Sequence, residues 1–156
     1  MRGTRKKDPR PVAEIKKDSQ QQAVYSWEED WRDWCINSIT YRQCRHVIRD
    51  ACKLFGVKAP SIQFHKGRTW SWQQEDVISL QDNGKPNGCI GQLNSVTCLH
   101  EVAHYIHWRR GGAGQDHGST WLGIYMHLLR KFSVAPTLAL WATANSHGLR
   151  WTECKR

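Results

Sequence analysis

Five consecutive residues, His100-Glu101-Val102-Ala103-His104, hold the densest chemistry in the chain. Residues four apart on a helix project from one face, one turn or about 5.4 Å along the axis, so the imidazoles at 100 and 104 are spaced to grip one metal ion. Glu101 is the residue type that orients a metal-activated water and takes its proton. Catalytic zinc takes three protein ligands and keeps one position open, so a third ligand is required. Glu153 is the only glutamate after Glu101, which argues against a third ligand from a glutamate on a later helix. The metzincin spacing also fails, because His107 and Arg110 stand where Gly and the third His belong. His107 shares the helix of the first two ligands, and three ligands from one straight helix do not surround a metal tetrahedrally. His117, reached through Gly111-Gly112-Ala113-Gly114, is the preferred third ligand. Asp116 is an alternative, or an acceptor bonded behind a ligand. His127 and His147 are more distant alternatives, and His127, with Trp121, Ile124 and Leu128 on one apolar face, reads as a core histidine.

These groups need a helix under them. Asn94 or Ser95 can cap one, Val96, Leu99, Ala103 and Ile106 form its apolar side, and Gly111-Gly112 end it. Such a helix would avoid two histidines and a glutamate in one turn unless a partner such as a metal offset their desolvation. A further helix is expected from Ser119 or Thr120. Upstream, Val24, Trp27, Trp31 and Trp34 recur at three- and four-residue spacing, an aromatic stripe with Glu28, Glu29, Asp30 and Asp33 elsewhere around the helix. The stripe reads as core, with a base-stacking platform as the functional alternative. A second helix spans 41–55, capped by Thr40 and ended by Gly56, with Tyr41, Cys44, Val47, Ile48, Ala51 and Phe55 inward. Its other face carries Arg42, Arg45, Arg49 and Lys53, a basic strip able to meet phosphates or simply solvated. Short strands at 61–64, 76–80 and 89–93, with Trp70 and Trp72 between the first two, imply a small antiparallel sheet. The expected fold class is α+β.

At 156 residues the chain suits one domain, expected at 23–156 behind a basic flexible tail at 1–22. The net charge of +9 favours an acidic partner, nucleic acid through a basic surface among them. No apolar run resembles a signal peptide or a membrane span, so a cytoplasmic location without membrane contact is expected. The six cysteines form no C-x-x-C pair, which excludes zinc-ribbon and thioredoxin-type motifs.

Thr97-Cys98-Leu99-His100-Glu101-Val102-Ala103-His104, followed by His117-Gly118-x-x-Trp121, resembles the SprT-like zinc metallopeptidase domain, the family that includes the Spartan proteases. The similarity covers about residues 89–130, and His147-Gly148-Leu149-Arg150-Trp151 is similar to the closing helix end of small bacterial and phage proteins with the same core. The resemblance implies a minimal zincin-like fold in which a small sheet packs with an active-site helix and flanking helices. It implies Zn²⁺ on His100, His104 and His117, Glu101 as general base, and a protein or peptide substrate. It also implies that the strand at 89–93, or its neighbour, receives an extended peptide by strand addition. Only Cys154 follows Trp151 in a region where many relatives carry a zinc ribbon, so the likeness supports the metal site more than a DNA-linked substrate. For the oxyanion, Tyr125, His127 or an arginine is expected. Two rival readings stand beside the endopeptidase: a nucleic-acid-binding or regulatory module with a structural or vestigial metal site, and a hydrolase of non-peptide substrates.

Overall fold

The computed structural model describes residues 20–35, 38–66, 70–82, 93–112 and 117–154. Most of the expected tail, the expected strand at 89–93 apart from Leu93, and Asp116 lie outside the described residues. The elements are α1 (Gln21–Cys35), α2 (Tyr41–Leu54), β1 (Ser61–His65), β2 (Trp72–Gln74), β3 (Val77–Gln81), α3 (Ser95–Arg109), α4 (Ser119–Lys131) and α5 (Thr137–Ser146), an α+β arrangement. No helix among the described residues is long and apolar enough to cross a membrane.

Helix boundaries follow local chemistry. Thr40 closes a capping box on α2, its hydroxyl accepting from Gln43 N (3.2 Å) while Gln43 Oε1 accepts from Thr40 N (2.8 Å). Asn94 caps α3 through Thr97 N (2.8 Å). Gly56 and Gly111, at φ +64° and +85°, take the left-handed conformation that stops α2 and α3. The first helix begins at Gln21, so residues 20–22, which composition assigns to the tail, belong to the folded body.

Val24, Trp27 and Trp31 are buried, which makes them core rather than a stacking platform. Trp27 packs edge-on to Trp31 and Tyr125, and its Nε1 donates to Thr143 Oγ1 (2.9 Å), tying α1 to α5. The motif helix α3 is the centre of the molecule: it packs on α2, α4, β2 and β3. Val96 and the run from Cys98 to His107 are all buried.

The sheet is mixed, not antiparallel as expected. Its order is β1-β3-β2, with β1 parallel to β3 (Ile62↔Ile78, Phe64↔Leu80) and β2 antiparallel to β3 (Trp72↔Ser79). The chain reverses between β1 and β2 and again through the tight turn at Glu75 and Asp76, so β1 and β3 run the same way. Because β3 inserts between the other two, its pairing with β1 is parallel.

Candidate metal centre

Three histidines, two from α3 and one from the turn that precedes α4, converge. His100 and His104 project from one face of α3, as their four-residue spacing requires. His117 stands directly before Gly118, the N-cap of α4. The three Nε2 atoms form an equilateral triangle, each pair 3.2 Å apart, and all three residues are buried. Imidazole nitrogens at about 2.0–2.1 Å from one tetrahedral cation lie roughly 3.3–3.4 Å from each other, so the triangle fits a metal ion without rearrangement. Among themselves the three nitrogens are poorly matched, since a proton on one serves a single neighbour and leaves lone pairs facing each other. A shared cation resolves that conflict, and these three buried histidines can hold a metal ion.

The floor is Trp121, whose ring stacks on His104 (centroids 4.7 Å) and meets His117 (4.6 Å) and His100 (5.0 Å) more steeply. Tyr25, two-fifths exposed, also packs on the histidines, nearly parallel to His100 (6.0 Å) and edge-on to His117 (5.3 Å). Gln20 holds the third histidine in place: its Nε2 donates to the carbonyls of His117 and Arg150 (3.1 Å each), and its Oε1 accepts from Arg150 N (2.8 Å). The start of α1, the His117 turn and the C-terminal segment are thereby locked together.

Glu28 is the residue that the sequence reading missed, having placed it among the acidic groups away from the apolar stripe. It is buried, and its Oε1 accepts from His100 Nδ1 (2.9 Å) and from Tyr125 Oη (2.5 Å). Burial pushes its carboxyl up, but His100, the hydroxyl of Tyr125 and the charge of Arg32 outweigh that and hold it below the usual range. In turn, burial pushes His100 down, and the Glu28 carboxylate more than reverses it. An ionised Glu28 accepting from Nδ1–H leaves the lone pair of His100 on Nε2, the atom in the triangle. Spacing carried a signal for it: Gln21, Tyr25, Glu28 and Arg32 recur at four, three and four residues, a polar line beside the Val24-Trp27-Trp31 stripe.

Glu101 is buried beside the ligands, and its carboxyl is pushed up to about 7, by burial first, with His100 pulling down and Glu28 adding to the rise. Of the expected oxyanion donors, Tyr125 commits its hydroxyl to Glu28, and burial together with that carboxylate raises it well above the ordinary phenol range. His127 packs edge-on to Phe55 (5.6 Å). The other histidines are also placed elsewhere: His147 Nε2 meets Asp30 (2.5 Å), and His107 lies over Gly112, where an added Cβ would come within 2.3 Å of its Nε2. Neither a family model, a curated protein nor a solved structure matches the chain.

Proposed function

We propose that the protein is a zinc-dependent metallohydrolase of the SprT-like kind, an endopeptidase with Glu101 as general base. The observation that carries the reading is the closed Nε2 triangle of His100, His104 and His117, with a buried carboxylate from the same helix beside it. Among the described residues three imidazoles converge, the protein-ligand count of catalytic zinc, whereas structural zinc closes its shell with four protein ligands. When bound, zinc supplies a Lewis acid for the scissile carbonyl and lowers the pKa of water toward neutrality.

The chain's own residues do the rest. Glu101, a carboxylate desolvated by burial, accepts the proton of the attacking water and passes it to the leaving amine. Glu28 keeps the His100 ring in one tautomer and one orientation, and Tyr125 fixes Glu28. Trp121 excludes water from below, and Tyr25 borders the exposed side, where substrate enters.

The test has two readouts. Metal content by mass spectrometry is expected at one zinc per chain for wild type and none for His117→Ala. Cleavage of an unfolded protein is expected for wild type and lost in Glu101→Gln, which keeps its zinc. Undiminished metal in His117→Ala rejects the triangle as the site, and a zinc-loaded wild type that cleaves no peptide bond rejects the peptidase reading.

A further inference from the structure

The segments that lead into α2 and α3 are bridged. Ser38 and Asn94 pair in an isolated antiparallel bridge, and Ile39 N donates to Leu93 O (3.3 Å), so both helices start from one short piece of ladder. Thr40 caps α2 and Asn94 caps α3, and the carbonyl of each accepts from a cysteine four residues on: Cys44 N to Thr40 O (2.9 Å) and Cys98 N to Asn94 O (3.2 Å). Each helix therefore carries a cysteine one turn past its cap. The two helices pack on each other, and at that contact the side chains of Cys44 and Cys98 meet. Both residues are fully buried, they are 54 residues apart in sequence, and their Sγ atoms lie 2.6 Å from each other. A disulfide sets two sulfurs about 2.05 Å apart, so a small approach of the side chains would close the bond.

This is the one pair of sulfurs in contact among the described residues. Cys52, buried two turns further along α2, and the half-buried Cys154 are both single thiols there. Two thiols set against each other gain only a weak S–H···S bond, and apolar side chains of similar size would fill this part of the core as well. What a pair of cysteines in contact offers beyond packing is a covalent link. Its place gives the link a consequence: Cys98 stands two residues before His100 and three before Glu101, in the first turn of the helix that carries the metal centre.

We propose that Cys44 and Cys98 are a thiol pair that a small disulfide oxidant such as glutathione disulfide converts to an intramolecular disulfide, stapling the start of α3 to α2. The inference does not rest on the hydrolase reading, because its readout is a covalent bond. One cysteine sulfur attacks a sulfur of the oxidant, which forms a mixed disulfide and releases one glutathione thiolate. The other cysteine then attacks the protein sulfur of that mixed disulfide, the Sγ–Sγ bond forms, and the second glutathione leaves. The two thiol protons of the protein end on the two glutathione thiols, and the two electrons that the cysteines lose reduce the oxidant. Because both sulfurs are buried, the exchange proceeds when α2 and α3 part transiently, and its rate follows that opening.

The experiment holds the full chain in glutathione disulfide with sub-denaturing urea, or in dithiothreitol as the reduced reference. Each sample is quenched in acid, alkylated in denaturant, digested with trypsin and chymotrypsin without reduction and mapped by mass spectrometry. The expected product is a peptide pair joining Cys44 to Cys98 with two hydrogens lost. Because the link closes a loop of 54 residues, the oxidised chain, freed of urea, melts roughly 5–10 °C above the reduced one. Cys44→Ala removes that link and the difference in melting, while Cys52→Ala keeps both, whatever either does to the absolute midpoint. Three results overturn the proposal: Cys44 and Cys98 both alkylated after oxidation, a persistent glutathione adduct on either or a link from either to another cysteine, or a Cys44–Cys98 link that leaves the melt unchanged or lowers it.

Discussion

Replacing Glu101 by Gln should stabilise the metal-free protein, and do so only above the acid range. The folded carboxyl titrates at about 7, against 4.5 for the free group, and burial is the main reason. A folded value above the unfolded one means that between the two the native state holds a proton that the unfolded chain has released. Stability therefore falls as pH rises through that window, and the penalty is complete above it. At about 1.4 kcal/mol per pH unit, the gap corresponds to roughly 3 kcal/mol, most of it developing between about pH 5 and pH 8. Gln has nearly the same shape and never ionises, so the variant escapes the penalty. For a chain of this length that difference is worth about 6–12 °C in Tm.

The assay is thermal unfolding in chelator, wild type beside Glu101→Gln, at several pH values. The diagnostic quantity is the gap between the two curves, because His100 titrates in both. Its raised value adds stability below its unfolded pKa, which is lost as pH rises through the folded one, so it tilts both curves downward, less steeply in the variant because the Glu101 charge is one cause of that rise, after Glu28. The gap should widen toward alkaline pH and shrink again on addition of zinc, whose charge favours the ionised carboxylate. Two curves that stay parallel from about pH 5 to pH 8 would refute the claim that Glu101 is desolvated, and with it the proton affinity assigned to the base.

Two other variants probe the supports of the site. Glu28→Gln removes the anion that fixes His100 and should weaken zinc binding by about 10- to 100-fold, read by chelator competition, with a smaller loss in Tyr125→Phe. Equal zinc affinity in all three proteins would show that the tautomer is set without Glu28. Gly123→Ala should destabilise the fold, since an added Cβ would lie 1.9 Å from the backbone oxygen of Thr152, and the Thr152 N–H bond to Ser119 O (3.0 Å) must then give way. A cost of about 1–3 kcal/mol or more is expected in denaturant unfolding, and a wild-type midpoint would contradict the close packing of the C-terminal segment on α4.

What was legible in the sequence was local. Capping of α2 by Thr40 and of α3 by Asn94, and the glycine ends of both, depend on residues within a turn of each other, and the structure has them where spacing puts them. The placement of His100 and His104 on one face is likewise a property of one helix. Sheet order was not legible, because alternation marks a strand without naming its neighbour. One hint existed: Val77, Ile78 and Leu80 make β3 the most apolar of the three strands, as befits a central strand, and the structure buries Ile78, Ser79 and Leu80. The bond of Gln20 to the His117 carbonyl spans 97 residues, and that of Glu28 to His100 spans 72. A polar residue near the start of a helix reads as solvated until the fold brings its partner.

The two buried glutamates show why composition alone does not assign roles. Glu28 and Glu101 are the same side chain at almost the same depth, yet their proton affinities move in opposite directions. Glu28 receives two donors and the field of Arg32, which together overcome desolvation and keep it an anion. For Glu101 burial wins over the attraction of His100, and Glu28 itself adds repulsion. In the metal-free protein one carboxylate is thereby a fixed charge that orients His100, and the other a group that exchanges a proton near neutral pH, a division of labour that suits the proposed general-base hydrolysis. The repulsion also couples them: neutralising Glu28 removes one cause of the rise in Glu101, so a variant designed to loosen the metal also moves the base toward an ordinary carboxylic acid.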